Sequence, residues 1–297
     1  MEKIKIIIKK IIYIPIDILI GASLIYSNLL SKFNNKIYFD DKIERKRKKY
    51  VNLKLDDGNI LKFYIINSIT KFRAETFFEK EPDTLEWIKN YNGSGDLLDI
   101  GANIGIYSNY YAKVKRGHVY AFESSFYNLS LLAENCQLNK NENKITIFPI
   151  PLFSENKTSF FKINNPIVGG ALSSFDVNYG HDGKIIRNYS QYLVPGFSID
   201  FLIANKIINT IPSLIKIDVD GVEDLILKGA TQLLSKDLCK SVLVEVNEDF
   251  QEQYENIQKI MTDKKFELSS TGKKTSLEKL KNNKDFKKTY NQIWVKN

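Results

Sequence analysis

Apolar residues in this chain gather in short runs, each followed by a turn and then by a segment with helical spacing. Leu97–Asp99 opens the series, and a helix-like segment ending near Lys113 follows its turn. His118–Glu123 comes next, then Leu129, Leu131, Leu132, Cys136 and Leu138 at the i, i+3, i+4 spacing of a buried helix face. Lys144–Ile150 is a third run, Leu214–Asp218 a further one with a helix from Glu223, and Ser241–Val246 another with a helix over Gln251–Thr262. Strands of this length alternating with helices predict an α/β domain on a largely parallel sheet. Two late strands, Phe266–Ser269 and Gln292–Val295, predict a closing hairpin and a mixed sheet whose last strand is antiparallel.

The pattern differs outside this series. Between Tyr50 and Ile66, VNLKL and ILKFYII flank Asp56-Asp57-Gly58-Asn59, a turn sequence that predicts a β-hairpin. Phe72–Tyr91 is expected to be helical, with a restart at Pro82-Asp83-Thr84. Ser159–Ile163 is expected as a fourth, edge-like strand. Residues 164–196, rich in Asn, Gly, Ser and Tyr, are expected to form a lid and substrate pocket. Ser198 is placed to N-cap a helix. Lys273–Lys288 is most simply a solvated loop. The resulting division is an apolar and basic helical extension over 1–49, a hairpin-and-helix capping segment over 50–91, and the main domain over 92–297.

Charge and composition change the picture mainly at the front. The chain has 297 residues, 43% of them hydrophobic, and a net charge of +8. The apolar stretch Ile11–Leu30 follows Lys3, Lys5, Lys9 and Lys10 and is near the length that spans a bilayer, yet it holds Pro15 and Asp17. An interfacial or core-packing helix, a membrane anchor and a cleaved signal all remain open for it. With Arg45–Lys49 it suits peripheral contact with an anionic membrane surface. Cys136 and Cys239 offer neither zinc spacing nor a disulfide framework, so the expected compartment is the cytoplasm, with membrane association open. His118 and His181 are the only histidines, which argues against a histidine-based metal site. A cation held by Asp218, Asp220 and Glu223 stays a minor alternative, and no metal is expected.

The chemistry concentrates in LLDIGANIGIYS, residues 97–108. Strand, glycine turn and helix in this order open a nucleotide-binding α/β unit. The G-x-G-x-x-G of dinucleotide enzymes is absent, and no K-[ST] follows as in a P-loop. Gly101 would let the backbone approach a ligand, and Gly105 would let the helix start lie close to the strand. Asp99 could pair with a ligand ammonium. Glu123 closes the second strand, where its carboxylate can accept from both hydroxyls of a ribose. A ligand with an amino-acid end and an adenosine end, such as S-adenosylmethionine (SAM), fits these groups. In LIKIDVDGVEDLILKGA, residues 214–230, Asp218 ends a strand facing the same crevice, and Lys216 shares its side-chain phase. Glu245 is either crevice-facing or an edge residue.

These motifs together resemble the FkbM family of SAM-dependent methyltransferases over roughly Leu97–Phe250. LLDIGANIGIYS is similar to the family's D-x-G-A-N-x-G-x-Y-S. HVYAFESSFYNLSLLAENCQLN is similar to its A-F-E-P-x-P-x-N with a later N-x-x-L-N. LIKIDVDGVEDLILKGA resembles its K-I-D-V-E-G-x-E block, and SVLVEVN the strand after it. The resemblance implies a class I methyltransferase fold: a Rossmann-like, seven-stranded mixed sheet with helices on both faces. It implies SAM as cofactor and transfer of its methyl to an oxygen of a sugar, glycan or natural-product-like small molecule. Asp99, Gly101, Asn103, Gly105, Glu123, Ser124 and Ser154 are then the expected cofactor residues. Asp218 is expected nearest the reacting centre, supported by Lys216 and Glu223.

The chain departs from the family in three places. Ser124-Ser125-Phe126 stands for Pro-x-Pro, Ser154 in PLFSENKT for an acid, and Asp220 for a glutamate. Competing readings are an NAD-dependent oxidoreductase, which the missing G-x-G-x-x-G disfavours, and a non-catalytic membrane-associated adaptor. A nucleic-acid methyltransferase is disfavoured because no N-P-P-[YF] block follows the fourth core strand. A small-molecule or glycan acceptor is expected as partner, and no nucleic acid.

Overall fold

The apolar runs form β3 (Leu97–Ile100), β4 (Val119–Phe122), β5 (Ile145–Phe148), β9 (Leu214–Ile217) and β10 (Ser241–Asn247) of a computed structural model of the chain. It describes residues 18–19, 21–26, 48–186, 189–271 and 288–296. These five strands run parallel, and β12 (Thr289–Val295) lies antiparallel between β10 and β11 (Glu267–Thr271). The seven-stranded order is β11-β12-β10-β9-β3-β4-β5, so this is the expected α/β fold with a mixed sheet. The chain leaves β3 for β4 on one side, while β9 flanks β3 on the other. A crevice therefore opens beyond the carboxyl ends of β3 and β9, where such sheets bind ligands.

Strand alternation sorts side chains between two cores. Leu98, Ile100, Ile215, Ile217, Val242 and Val244 pack on one face, with α7 (Glu223–Lys228), α8 (Thr231–Leu234) and α9 (Gln251–Asp263). Leu97, Leu214 and Leu243 pack on the other, against α4 (Ile106–Val114) and α5 (Phe126–Leu138). Asp99 and Lys216, partners in register across β3 and β9, share the phase of that second face and are buried there.

The capping segment also packs on the second face. Its hairpin, β1 (Lys49–Lys54) and β2 (Ile60–Ile65), turns at Gly58, and Leu53, Leu61 and Phe63 enter the core. The outer edge of β2 is satisfied by α5: Asn139 accepts from Lys62 N (2.8 Å) and donates to Lys62 O (2.7 Å), and Asn135 accepts from Tyr64 N (3.0 Å). Two asparagines at i, i+4 thus stand in for a neighbouring strand. Helices α1 (Ser68–Glu75), α2 (Phe77–Lys80) and α3 (Pro82–Asn90) follow, the last starting at the expected proline. Trp87 of α3 donates to Ser241 Oγ (2.8 Å), fastening the segment to β10.

One expectation needs correction. The strand expected over Ser159–Ile163 is β6 (Lys157–Ile163), but it does not extend the main sheet. It pairs with β7 (Ser173–Phe175) and β8 (Ser190–Gly196) in a separate antiparallel sheet, ordered β7-β6-β8. Phe161, Ile163 and Phe175 turn inward onto the core while Phe160 faces out, so the expected lid is a built sheet resting on the crevice. α6 (Ile199–Ala204) follows, and Ser198 accepts from Phe201 N (3.2 Å) as its N-cap.

The chain divides into two compact units, Met1–Lys49 and Tyr50–Asn297. In the first, residues 21–26 are helical. Most of the apolar stretch at 11–30, the basic run at 45–47 and nearly all of the Lys273–Lys288 loop lie outside the described residues. Among the described residues, no helix is long and apolar enough to cross a membrane.

Candidate active site

The turn after β3 is stitched to β4 by two hydrogen bonds, Gly101 N and Ala102 N donating to Phe122 O (3.0 and 2.9 Å). Its two glycines serve different neighbours. Gly101 has φ +80°, and an added Cβ would lie 1.9 Å from Asp218 O, so the close approach is to the loop leaving β9. Gly105 has the same φ, and a Cβ there would lie 2.3 Å from Leu132, which sets how closely α4 and α5 pack. Asn103, between them at φ 52°, donates from its side chain to Gly170 O (2.8 Å).

Glu123 leaves β4 directly opposite this turn. Its Oε2 accepts from Asn103 N (2.8 Å) and its Oε1 from Ser125 N (2.7 Å). The Asn128 side chain is a third donor to this carboxylate, which has about four acceptor sites and so keeps acceptor capacity for a hydroxyl donor. Burial outweighs these bonds and raises its pKa to about 7.

Behind the turn lies a buried ionic group. Lys216 Nζ sits 3.1 Å from Asp218 Oδ2 and 3.6 Å from Asp99 Oδ1, over the Tyr107 ring. Ser108 Oγ donates to the other Asp99 oxygen (2.5 Å). Burial works against the Lys216 ammonium, but Asp218 and Asp99 outweigh it and hold its pKa above the ordinary value. Lys216 in turn keeps Asp218 ionised, its pKa below the usual range despite burial.

Glu223 forms the next support. It accepts from Gly221 N (3.1 and 3.2 Å), Val219 N (3.2 Å) and Gln253 Nε2 (2.8 Å). These bonds fix the loop that carries Asp218 and Asp220. Asp220, at φ 65°, accepts from Leu172 N (2.6 Å) and so ties that loop to the start of β7. Burial and Asp218 raise its pKa to about 6.

A cavity opens at the carboxyl ends of β3, β4, β9 and β10. Gly101, Asn103, Glu123, Ser124 and Asp218 line it, so five of the expected residues converge there. The other five expected residues do not line it. Asp99 faces Lys216 in place of a ligand ammonium, and Gly105 packs on Leu132. Lys216 borders only a smaller adjoining space and is a locked ammonium, so it positions Asp218 and cannot accept a proton. Glu223 lies beneath the loop as its support. Ser154 stands outside because the chain has already turned away after Pro151 and Leu152, which form the wall. His181 is not among the lining residues, and neither cysteine is; burial pushes the Cys136 and Cys239 thiols up to about 12.

The cavity also draws Asn128, which closes the second-strand motif without an assigned role there, and residues outside the quoted motifs: Arg73, Lys80 and the aromatic pair Phe161 and Phe175. Arg73 and Lys80 come from short helices that carry no motif. Glu245 resolves as crevice-facing: it lines the cavity, half-buried, one residue beyond the β10 position that pairs with Ile217. Burial, with Asp218 and Asp220 next in effect, raises its pKa well above the usual glutamate value. Among the described residues, no three acids, histidines or cysteines are grouped to hold a metal ion.

A model of the methyltransferase FkbM domain matches residues 99–268, more than half of the 297-residue chain. The chain belongs to the FkbM methyltransferase family. Its cofactor is accordingly SAM. The site fits that molecule: a pocket-facing carboxylate with spare acceptor sites for a ribose, and an apolar wall of Ile150, Pro151 and Leu152 beside it for a purine.

Comparison with curated proteins finds no match. Among solved structures, magnesium protoporphyrin IX methyltransferase from Synechocystis PCC 6803 with bound SAM shares 13% identity at a TM-score of 0.43, covering 78% of this chain and 86% of its own. M. capricolum TrmK in complex with S-adenosyl-homocysteine shares 10% identity at a TM-score of 0.41, covering 74% and 70%. The ribosomal protein L11 methylase of Lactobacillus delbrueckii subsp. bulgaricus shares 12% at 0.39, covering 72% and 77%. The family assignment rests on the domain match alone.

Proposed function

We propose that this FkbM-family methyltransferase transfers the SAM methyl group to a hydroxyl oxygen of a glycan or natural-product-like small molecule. One observation carries the reading: Glu245 presents a half-buried carboxyl to the cavity and has no hydrogen-bond partner among the described residues. Its raised pKa makes it a stronger proton acceptor than a solvated glutamate. Bound SAM supplies an electrophilic methyl on a sulfonium, and its positive charge favours the ionised form of the nearby acids.

Glu123 is assigned to the ribose and the 150–152 wall to the adenine. The acceptor is assigned to the side closed by the three-stranded sheet, where Phe161 and Phe175 give an apolar surface and Asp220 an acidic one. The acceptor hydroxyl would lose its proton to Glu245 as the new O–C bond forms and the methyl–sulfur bond breaks, leaving the neutral thioether of the spent cofactor. Holding the acceptor in line with the methyl supplies much of the acceleration.

The test is incubation of the full chain with SAM and a panel of hydroxylated and amine acceptors, with product analysis by mass spectrometry. Methylation on oxygen is expected. Glu245→Gln is expected to lower the turnover rate by about 10²–10⁴-fold while S-adenosylhomocysteine (SAH) affinity is retained. Product carrying the methyl on nitrogen or carbon would contradict the reading.

A further inference from the structure

Of the six charged side chains that line the cavity, four are acids: Glu123, Asp218, Asp220 and Glu245. The cofactor, however, ends in a carboxylate. Four acids leave few places for a fifth, and unpaired negative charge in a partly buried crevice is strongly disfavoured. Arg73 and Lys80 are the cations that line the same cavity, and both also border the adjoining space beside the Gly101–Asn103 turn. Neither residue belongs to the stretch that the family domain matches, which starts at Asp99.

Arg73 is built in, not merely nearby. Its Nε donates to Gly169 O at 2.8 Å, which fixes the plane of the guanidinium. Gly169 itself is held by Asn128 Oδ1, which accepts from Gly169 N (2.8 Å), and Asn67 Nδ2 donates to the neighbouring Val168 O (2.8 Å). With Nε committed, the Nη donors of Arg73 have no hydrogen-bond partner among the described residues, and they form the planar fork that matches a carboxylate. Lys80 pairs with Glu81 and stands across the same space.

We propose that Arg73, assisted by Lys80, binds the carboxylate of the cofactor's methionine end, so that the capping segment completes the cofactor site. The Asp99 and Glu123 motifs then hold the turn and the ribose, while the amino-acid end is recognised from outside the matched domain.

Two ligands separate this role from a general one. SAH carries adenosine and the amino-acid end, whereas 5′-methylthioadenosine carries adenosine without it. Calorimetric titration of the full chain is expected to show Arg73→Ala weakening SAH by about 10- to 100-fold while 5′-methylthioadenosine changes less than about twofold. The thioether nucleoside also reports that the variant pocket is folded. Lys80→Ala, which leaves the Gly169 contact intact, is expected to give the same split at smaller size.

SAH affinity unchanged in both variants would overturn the proposal and assign the cations to an anionic acceptor. Equal loss of both ligands in Lys80→Ala would overturn it as well. Failure of the unmodified chain to bind SAH would instead overturn the cofactor assignment, which keeps the two failures distinct.

Discussion

At the scale of single residues, the account turns on which charges the fold buries and what they face. Lys216 is 1% exposed and lies between Asp99 and Asp218. Removing its charge leaves the buried Asp99 carboxylate and that of Asp218 with no cation between them. Lys216→Met is therefore expected to destabilise the chain by about 3–5 kcal/mol, read by urea denaturation. A change below about 1 kcal/mol would show that the buried pair contributes little. Glu123 gives a pH prediction. Its carboxylate must be ionised to accept from both ribose hydroxyls, and its pKa is raised to about 7. SAH affinity is expected to fall as pH drops through that value, whereas Glu123→Gln binds more weakly and loses this part of the pH dependence. The Asp99 and Glu123 positions were legible in the sequence because strand, turn and helix are local and each acid closes or ends a run. That Asp99 faces Lys216 was not, because the partner sits 117 positions later and meets it only through the β3–β9 register.

At the scale of elements, the capping segment and the three-stranded sheet hold the site in place. The edge of β2 depends on Asn135 and Asn139 of α5, and Asn139→Ala would leave the Lys62 N–H and C=O without these partners. The expected loss is about 1–3 kcal/mol of stability, with faster amide exchange at Lys62 as the local signature. Exchange unchanged at the Lys62 amide would refute the bracketing role. The hairpin, the restart at Pro82 and the N-cap at Ser198 were all readable, since turn and cap chemistry act over a few residues. The placement of β6 was not. Its alternation suits an edge of the main sheet equally well, and only its pairing with β8 over seven residues decides otherwise. The cations at Arg73 and Lys80 were hidden for a similar reason. Single cations on short helices look like solvated surface until the fold lays them over the crevice.

At the scale of the whole molecule, acid burial sets a trade between stability and binding. Glu123, Asp220 and Glu223 have pKa values raised to about 7, 6 and 7, and that of Glu245 is raised further from its usual range. A carboxyl whose folded pKa exceeds its unfolded value contributes stability at low pH that is lost as pH rises through the folded value. The ligand-free chain is thus expected to melt at a lower temperature at about pH 8 than at about pH 5.5. Asp218 acts the other way, its pKa depressed, but its contribution is lost only below the ordinary aspartate range. SAH binding to Glu123 favours the ionised form, so the melting shift caused by SAH is expected to grow over the same rise in pH. Parallel thermal melts with and without SAH check both signs, and a ligand shift that shrinks toward high pH would contradict the assignment of Glu123.

The most direct measurement is calorimetric titration of SAH into the purified full chain and its Glu123→Gln variant, with NAD⁺ as a comparison ligand. The account predicts saturable one-site binding of SAH, a loss of about 10-fold or more in the variant, and no binding of NAD⁺. A folded chain that does not bind SAH, or one that binds NAD⁺ in its place, would contradict it.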